Sequence, residues 1–221
     1  MLKILLILLP ILYCNNSAFS GEFNTDNLKF NVYRNDSKIG YHSLYFTKDQ
    51  DSIKSKINIE FEVNFLGFTL YEYSHQNVEL WIDNSLFELR TETDKNGENL
   101  SCNFRKINDD YQIDGSFRKK LIKYAPVPTS YWNKKIVANK SLTALNTQDC
   151  SDLEFTVSYL GQDLIYNSSL LADHYKLLGK ESSGDDVDID LWYDNKNKWV
   201  KMKFVKDGSE IDYILEQYDS K

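Results

Sequence analysis

Hydrophobic and polar residues alternate strictly from Ser52 to Phe65, and this segment is the clearest predicted strand of the chain. Apolar side chains take every second position on one face, which is interrupted only by Ser55. They are Ile53, Ile57, Ile59, Phe61, Val63 and Phe65. A period of two residues is typical of a strand with one buried and one solvated face. Because strands of parallel sheets are apolar on both faces, the pattern predicts an antiparallel sheet.

Turn dipeptides lie between the alternating segments where hairpins require them. Asn96-Gly97 and Asp207-Gly208 tolerate the positive φ angles of a two-residue turn. A turn at Asp207-Gly208 places Lys203 opposite Asp212 on one face and aligns apolar residues on the other. The apolar pairs are Phe204–Ile211, Met202–Tyr213 and Val200–Leu215. A shift by one residue would mix the two faces, so the pattern selects this register.

The preceding hairpin contains two tryptophans. Its register pairs Tyr193 with Val200, and this places Trp192 and Trp199 together on the face opposite the apolar one. Lys201 then lies opposite Trp192, where a cation–π contact contributes about 0.5–1 kcal/mol if exposed. The face is either covered by another segment or an exposed aromatic patch, and the pattern leaves both alternatives open.

Two earlier hairpins follow the same design. A turn at Asn96-Gly97 places Thr91 opposite Cys102, so that Cys102 faces the apolar side. The turn at Asp83-Asn84 is predicted to join Val78 and Leu80 to Leu89 and Phe87 on that same side. These segments together predict a meander of antiparallel strands with one continuous apolar face.

The middle of the chain departs from this pattern. It contains Pro126 and Pro128, after which Thr129 or Ser130 is positioned to cap a short helix that ends at Ala138. We therefore predict an all-β fold with one short helical insertion, a curved antiparallel meander that forms a half-barrel or open barrel. The insertion is expected to cross the open side of the sheet. No boundary divides residues 21–221, which we interpret as a single antiparallel β domain.

Residues 1–20 have the layout of a secretory signal peptide. Lys3 precedes an apolar run to Tyr13, and small residues precede Gly21. An uncleaved anchor is the alternative, and a lipoprotein is disfavoured because bulky Tyr13 precedes Cys14. We expect a protein of the periplasm or secreted outside the cell, not membrane-spanning once the signal is removed.

Charge and cysteine content refine this picture. Without Lys3, 25 basic residues stand against 33 acidic ones, a balance of −8 that argues against nucleic acid as a partner. Two cysteines follow the signal, Cys102 and Cys150. An even number in an exported protein indicates a disulfide, and two separate buried thiols are the alternative.

Several short motifs occur in order across most of the chain. They are SKIGYH at 37–42, ELWID at 79–83, TSYWN at 129–133, DLWYD at 190–194, KWVKMKF at 198–204 and DGSEIDYIL at 207–215. Together they resemble an uncharacterised bacterial family of exported proteins, a domain of unknown function. The resemblance implies no activity. The architecture is more loosely similar to the curved sheets of envelope lipoprotein carriers.

Motifs for catalysis or cofactor binding are missing from the sequence. His42, His75 and His174 have no metal-ligand spacing, and there is no glycine-rich phosphate loop or nucleophile elbow. The acidic run at 184–190 lacks the spacing of a calcium cage. We expect no cofactor and no metal, and an enzyme is the least favoured class.

Aromatic residues make up 14% of the chain and suggest a binding function. We expect a binding or carrier module in which an apolar or amphiphilic molecule lies between the sheet and the insertion. The candidate ligand-binding residues are Tyr124, Tyr131, Trp132, Trp192 and Trp199. The alternative is an envelope module that docks another protein through surface aromatics, with Trp81 among them.

Overall fold

The computed structural model describes residues 23–66, 68–181 and 184–220. The predicted signal peptide, residues 1–20, lies outside them. Fifteen strands form one sheet. Their bounds are β1 Leu28–Arg34, β2 Ser37–Asp49, β3 Ser52–Phe65, β4 Phe68–Ile82, β5 Ser85–Lys95, β6 Glu98–Ile107, β7 Asp110–Gly115, β8 Lys119–Ile122, β9 Val127–Pro128, β10 Ser141–Leu145, β11 Asp152–Ile165, β12 Leu170–Lys180, β13 Asp186–Tyr193, β14 Trp199–Lys206 and β15 Ser209–Leu215. Short 3-10 helices cover Lys134–Val137 and Glu216–Tyr218.

The sheet is a meander that begins and ends in the middle of the chain. Its order runs from β8 down to β1, continues with β15, and runs down to β9. Neighbouring strands are antiparallel except β9 and β10. In the described residues no ladder joins β8 to β9, so the curved sheet stays open. The prediction of an all-β, curved antiparallel meander with one short helical insertion is confirmed.

Covalent and ionic contacts bridge the gap between the two edges. Cys102 of β6 and Cys150 form a disulfide with a Cα–Cα distance of 4.8 Å, as the cysteine count indicated. Arg118 beside β8 donates two hydrogen bonds to the carboxylate of Asp152, at 2.5 and 2.7 Å. Lys120 contacts the same carboxylate at 3.2 Å. We call β1–β8 the first half of the sheet and β9–β15 the second half. These contacts form a seam that fastens the two halves together.

Most of the predicted registers are present. At Asp207-Gly208 both turn residues have positive φ, and Lys203 pairs with Asp212. Thr91 pairs with Cys102, which is fully buried. The concave face carries the main core, whose largest fully buried side chains include Trp81, Trp199, Tyr193, Phe30 and Phe104.

The predicted position of Trp199 was wrong. A bulge after Trp192 pairs Tyr193 with Trp199 instead of Val200. Trp199 therefore lies in the main core, whereas Trp192 and Val200 belong to a smaller cluster on the other face. A bulge adds one residue to one strand, and this reverses the alternation beyond it.

A second bulge and the insertion also differ from expectation. Phe87 is an extra residue in β5, so Leu89 pairs with the inward-facing Glu79 and not with Val78, which is exposed. The predicted contacts of Val78 and Leu80 with Leu89 and Phe87 are therefore wrong. In the insertion, Asn133 is the N-cap, accepting a hydrogen bond from the Lys135 backbone N–H, in place of Thr129 or Ser130.

Candidate functional site

Strand β4 directs a stripe of polar residues into the concave face. His75, Asn77 and Glu79 alternate along it and are 3%, 2% and 0% exposed. Tyr73 precedes them and Trp81 follows them on the same face. The alternation of β4 is unbroken from Tyr73 to Trp81, and it turns the apolar Val78 outward. A polar stripe in the most buried part of a sheet requires partners, since unbonded polar groups are costly to bury.

The carboxylate of Glu79 receives four hydrogen bonds from neutral donors. The indole N–H groups of Trp81 and Trp132 donate to Oε2 at 2.9 and 3.0 Å, and the Ser55 hydroxyl donates to it at 3.3 Å. The Asn77 amide donates to Oε1 at 3.0 Å. Within the described ranges no cation lies at ion-pair distance, so these donors replace the water that the buried carboxylate has lost.

Two histidines lie on the same face, on either side of strand β3. His42 of β2 and His75 of β4 both pair with Ile59 of β3. Nδ1 of His75 is 2.7 Å from the Thr93 hydroxyl, whereas neither ring nitrogen of His42 has a partner among the described residues. Burial, and then the neighbouring His75, lower the pKa of His42 to about 3. Burial lowers the pKa of His75 to about 4.

The segment 129–133, which we call the cover, crosses the stripe. Trp132 is 2% exposed and contacts Trp81 and Phe46, with ring centroids 5.6 and 4.9 Å away. Tyr131 adopts φ 60°, and its carbonyl accepts a hydrogen bond of 2.6 Å from the Tyr193 hydroxyl. The cover is therefore fixed to the first half of the sheet through Glu79 and to the second half through Tyr193.

Aromatic rings form a recess between the cover and the rim of the sheet. We define this aromatic recess by Phe61, Tyr73, Tyr131 and Tyr213. Phe61 lies 5.4 Å from Tyr73 and 6.1 Å from Tyr213 between ring centroids. Burial raises the pKa of Tyr73 and Tyr131, yet both side chains keep partly accessible surface. Both rings are therefore largely surrounded by protein and remain partly in contact with solvent.

Ring contacts connect these aromatic residues to the two histidines. Tyr73 stacks on His75 at 6.4 Å, and Tyr213 contacts His42 at 5.7 Å. At the rim a groove of about 380 Å³ is lined by Phe61 and Tyr73, and also by carboxylates. These carboxylates are Glu60, Glu62, Glu72 and Asp94.

Buried polar atoms without a partner in the described part of the chain concentrate in the stripe and the cover. Besides both ring nitrogens of His42, they include Oδ1 of Asn77, Oγ of Ser130 and Nδ2 of Asn133, whereas Nε of Arg118 lies at the seam. In proteins the great majority of buried polar atoms are hydrogen-bonded. These atoms can donate to or accept from a bound polar group. Across the described ranges no cluster of three or more histidine, cysteine or acidic side chains could hold a metal ion.

The candidate residues from the sequence fall into three places. The structure brings Tyr131 and Trp199 together, 6.2 Å apart, and Trp132 lies beside them in the cover. Tyr124 is 84% exposed and lies apart from them. Trp192 lies on the opposite face, where its indole donates to Asp163 at 2.9 Å and Lys201 lies 5.2 Å above its ring.

The sequence analysis missed His42, His75, Asn77 and Glu79 as members of the site. One signal was present in the pattern. Ser55 is the single polar interruption on the apolar face of β3, and it pairs with Glu79. A polar residue at an inward position indicates a polar partner on the neighbouring strand, which would have shown that β4 faces inward at Glu79.

Comparison with known proteins supports the fold and the resemblance. A crystal structure of a beta-barrel-like protein of domain of unknown function DUF1849 from Brucella abortus superposes with a TM-score of 0.61. Sequence identity is 10%, and the match covers 86% of this chain and 94% of the other. No curated protein matches the sequence. In the part of the chain that the structure describes, no helix has the length and apolar character to cross a bilayer. Residues 30–216 match the family described as domain of unknown function DUF6134, and the chain belongs to that family.

Proposed function

We propose that this protein is a non-enzymatic binding module that holds an amphiphilic molecule between the concave face and the cover. The observation that carries the proposal is that partly accessible aromatic rings and buried, unpartnered polar atoms share the concave face and are linked there by ring contacts through His75 and Trp199. Tyr73 and Tyr131 supply the rings, and His42 and Asn77 supply the polar atoms. Such a combination of apolar walls and a few convergent polar groups is typical of ligand sites.

The chemistry of the recess favours a neutral polar group on the ligand. A neutral histidine both donates and accepts a hydrogen bond, and the free oxygen of Asn77 accepts one. Burial keeps His42 neutral at ordinary pH. A hydroxyl or amide group suits these partners. A carboxylate would meet a buried site without a described cation and would cross a rim that carries four acidic side chains.

The roles of the two cover aromatics differ under this proposal. Tyr131 contacts the ligand, because its ring lines the recess. Trp132 instead holds the cover in place, because its indole is packed and hydrogen-bonded to Glu79. The alternative function, docking through Trp81, Trp192 and Trp199, receives less support because all three side chains are at most 7% exposed.

Binding can be tested with two probes of equal chain length, a neutral monoacylglycerol and the corresponding fatty acid. We expect the monoacylglycerol to raise the melting temperature more than the fatty acid does. Tyr131→Ala should abolish the shift, whereas Tyr124→Ala is the matched control from the same stretch of chain. If neither probe shifts the melting temperature of the unmodified protein, the proposal is wrong.

We also propose that the protein is exported to the periplasm or beyond the cell. The tripartite pattern of residues 1–20 and the Cys102–Cys150 disulfide support this, since disulfides persist in oxidising compartments. The intact mass of the expressed protein tests it, with Gly21 expected as the first residue. A mass that retains Met1 to Ser20 would contradict cleavage.

A further inference from the structure

The hairpin of β3 and β4 projects beyond the rest of the sheet. The ladder from β2 to β3 stops at Phe61, and the ladder from β5 to β4 stops at Tyr73. Beyond them only one further bond, from the Asn96 backbone N–H to the Glu72 carbonyl, reaches the hairpin from a neighbour in the described chain. Residues 62–66 and 68–72 therefore form a two-stranded ribbon at the rim.

The end of this ribbon exposes large apolar side chains. Leu66, Phe68 and Leu70, which we call the ribbon tip, are 82%, 73% and 58% exposed. From residue 63 to residue 71 the sequence contains no charged side chain. An apolar hairpin that projects into water is an aggregation hazard unless something covers it, and exposed apolar patches mark interaction sites.

We propose that the ribbon tip inserts into the surface of a lipid bilayer whose headgroups are zwitterionic. The proposal does not depend on the ligand site. Its first support is that the polar side chains near the tip bond to one another within the ribbon. Asn64 pairs with Thr69 across the ribbon, the Thr69 hydroxyl donates to Asn64 at 3.0 Å, and the Asn64 amide donates to Glu62 at 2.6 Å. Pairing of these side chains lowers the cost of bringing the tip to the hydrocarbon, while the open backbone edges restrict insertion to the apolar side chains of the tip.

The charges beside the tip define both the depth of insertion and the lipid class. Glu62 and Glu72 lie directly opposite each other where the uncharged segment ends. Two carboxylates at this position resist deeper insertion and repel anionic lipids, and the net charge of the chain is also negative. Tyr71 lies next to them, and tyrosine is favoured at the boundary between hydrocarbon and headgroups. The ammonium groups of zwitterionic headgroups suit these carboxylates.

A bilayer fits these observations better than a protein groove does. A protein partner of comparable specificity would be expected to match the paired carboxylates with basic residues at fixed positions, and it would bury polar edges of the ribbon as well. Shallow insertion into a bilayer requires only exposed apolar side chains and an uncharged end, both of which the ribbon has, and it leaves the polar edges of the ribbon in the headgroup layer.

The four tryptophans permit a direct test, because all are at most 7% exposed. Phe68→Trp adds the only exposed indole of the described chain. In the presence of phosphatidylcholine vesicles its emission should shift to the blue, and brominated phosphatidylcholine should quench it. Adding anionic phosphatidylglycerol should weaken both effects, which is opposite to the behaviour of polybasic membrane proteins.

A matched pair of variants separates insertion from general stickiness. Replacing Leu66, Phe68 and Leu70 with serine should weaken vesicle binding on the order of tenfold or more. The affinity depends on the apolar area that the tip buries in the bilayer. Serine at the exposed Leu160, Leu164 and Leu171 of β11 and β12 should leave binding unchanged. Thermal melting confirms that both variants fold.

Three results would overturn the proposal. The first is equal vesicle binding by the tip variant and the control variant. The second is unmodified protein that does not bind phosphatidylcholine vesicles. The third is a dimer, seen by light scattering, that the tip substitutions dissociate while vesicles have no effect, since a second copy would then be the partner of the tip.

Discussion

The two halves of the concave face bury different kinds of side chain. In β13–β15 the inward positions are apolar or aromatic, as in Leu191, Met202 and Tyr213. In β4 they are His75, Asn77 and Glu79, and the burial is just as complete. The second half is held mainly by apolar packing, whereas the first half also depends on a connected set of buried hydrogen bonds. The comparison shows that the buried polar groups of the concave face concentrate in the first half.

Removal of the Glu79 carboxylate is the largest expected perturbation of the first half. Glu79→Ala leaves the indoles of Trp81 and Trp132 without an acceptor and creates a cavity. We expect a loss of about 3–5 kcal/mol in the free energy of unfolding, measured with urea. Glu92→Ala on the exposed face of β5 is the control. A loss below about 1 kcal/mol would show that the stripe is not a connected network.

Loss of the disulfide should separate the two halves. Replacing Cys102 and Cys150 with alanine opens a loop whose ends are 48 residues apart. The chain-entropy model gives a loss of about 4 kcal/mol, and measured values are typically about 2–4 kcal/mol. Denaturant unfolding under equal conditions measures it. Unchanged stability would mean that the ion pairs of Asp152 suffice to hold the seam.

Acid should weaken the first half before the second. The folded-state pKa values of His42 and His75 lie below the usual histidine value, at about 3 and about 4. The unfolded chain therefore binds more protons between these values and about 6.5, so stability is full above pH 6.5 and declines as pH falls toward 4. His42→Leu should flatten this decline in urea titrations. An identical slope in the variant would contradict the prediction.

The outer face of the second half should respond least. The Lys203 ammonium forms an ion pair with the Glu210 carboxylate at 2.7 Å, and both side chains are substantially exposed. Lys203→Ala is expected to cost less than about 1 kcal/mol, because water screens exposed ion pairs. A melting curve in low and high salt measures the effect. A larger loss would indicate that the charges across β13–β15 act as a network.

Most of the β13–β15 meander was predictable, because its pattern is strict on both faces up to the bulge after Trp192. Pairs such as Met202–Tyr213 and Leu191–Met202 follow from alternation and turn chemistry. The failures lie at two bulges, after Trp192 and after Leu80. A bulge inserts one residue without leaving a sequence signature, and it reverses which side chains point inward.

The site was less predictable than the sheet. Tyr131 and Trp132 stood out because they are aromatic residues in the single interruption of the strand pattern. His42 and Glu79 did not, since local alternation assigns polar residues to the solvent face. Only the Ser55 interruption, which involves a strand partner 24 residues away, contained the information that β4 turns its polar residues inward.

The order of strands has a consequence for the way the chain folds. β1 lies between β2 and β15, so one of its two neighbours comes from the far end of the sequence. The β2–β8 meander can form from local hairpins, but β1 keeps an open edge until β15 arrives. Pairing between distant segments slows folding, because the chain loses loop-closure entropy before the stabilising contacts form. The gap between β8 and β9 instead separates strands that are neighbours in sequence. A circular permutant opened at residues 123–126 would therefore place all strands of the sheet in chain order, with the β1–β15 junction formed by an ordinary connection.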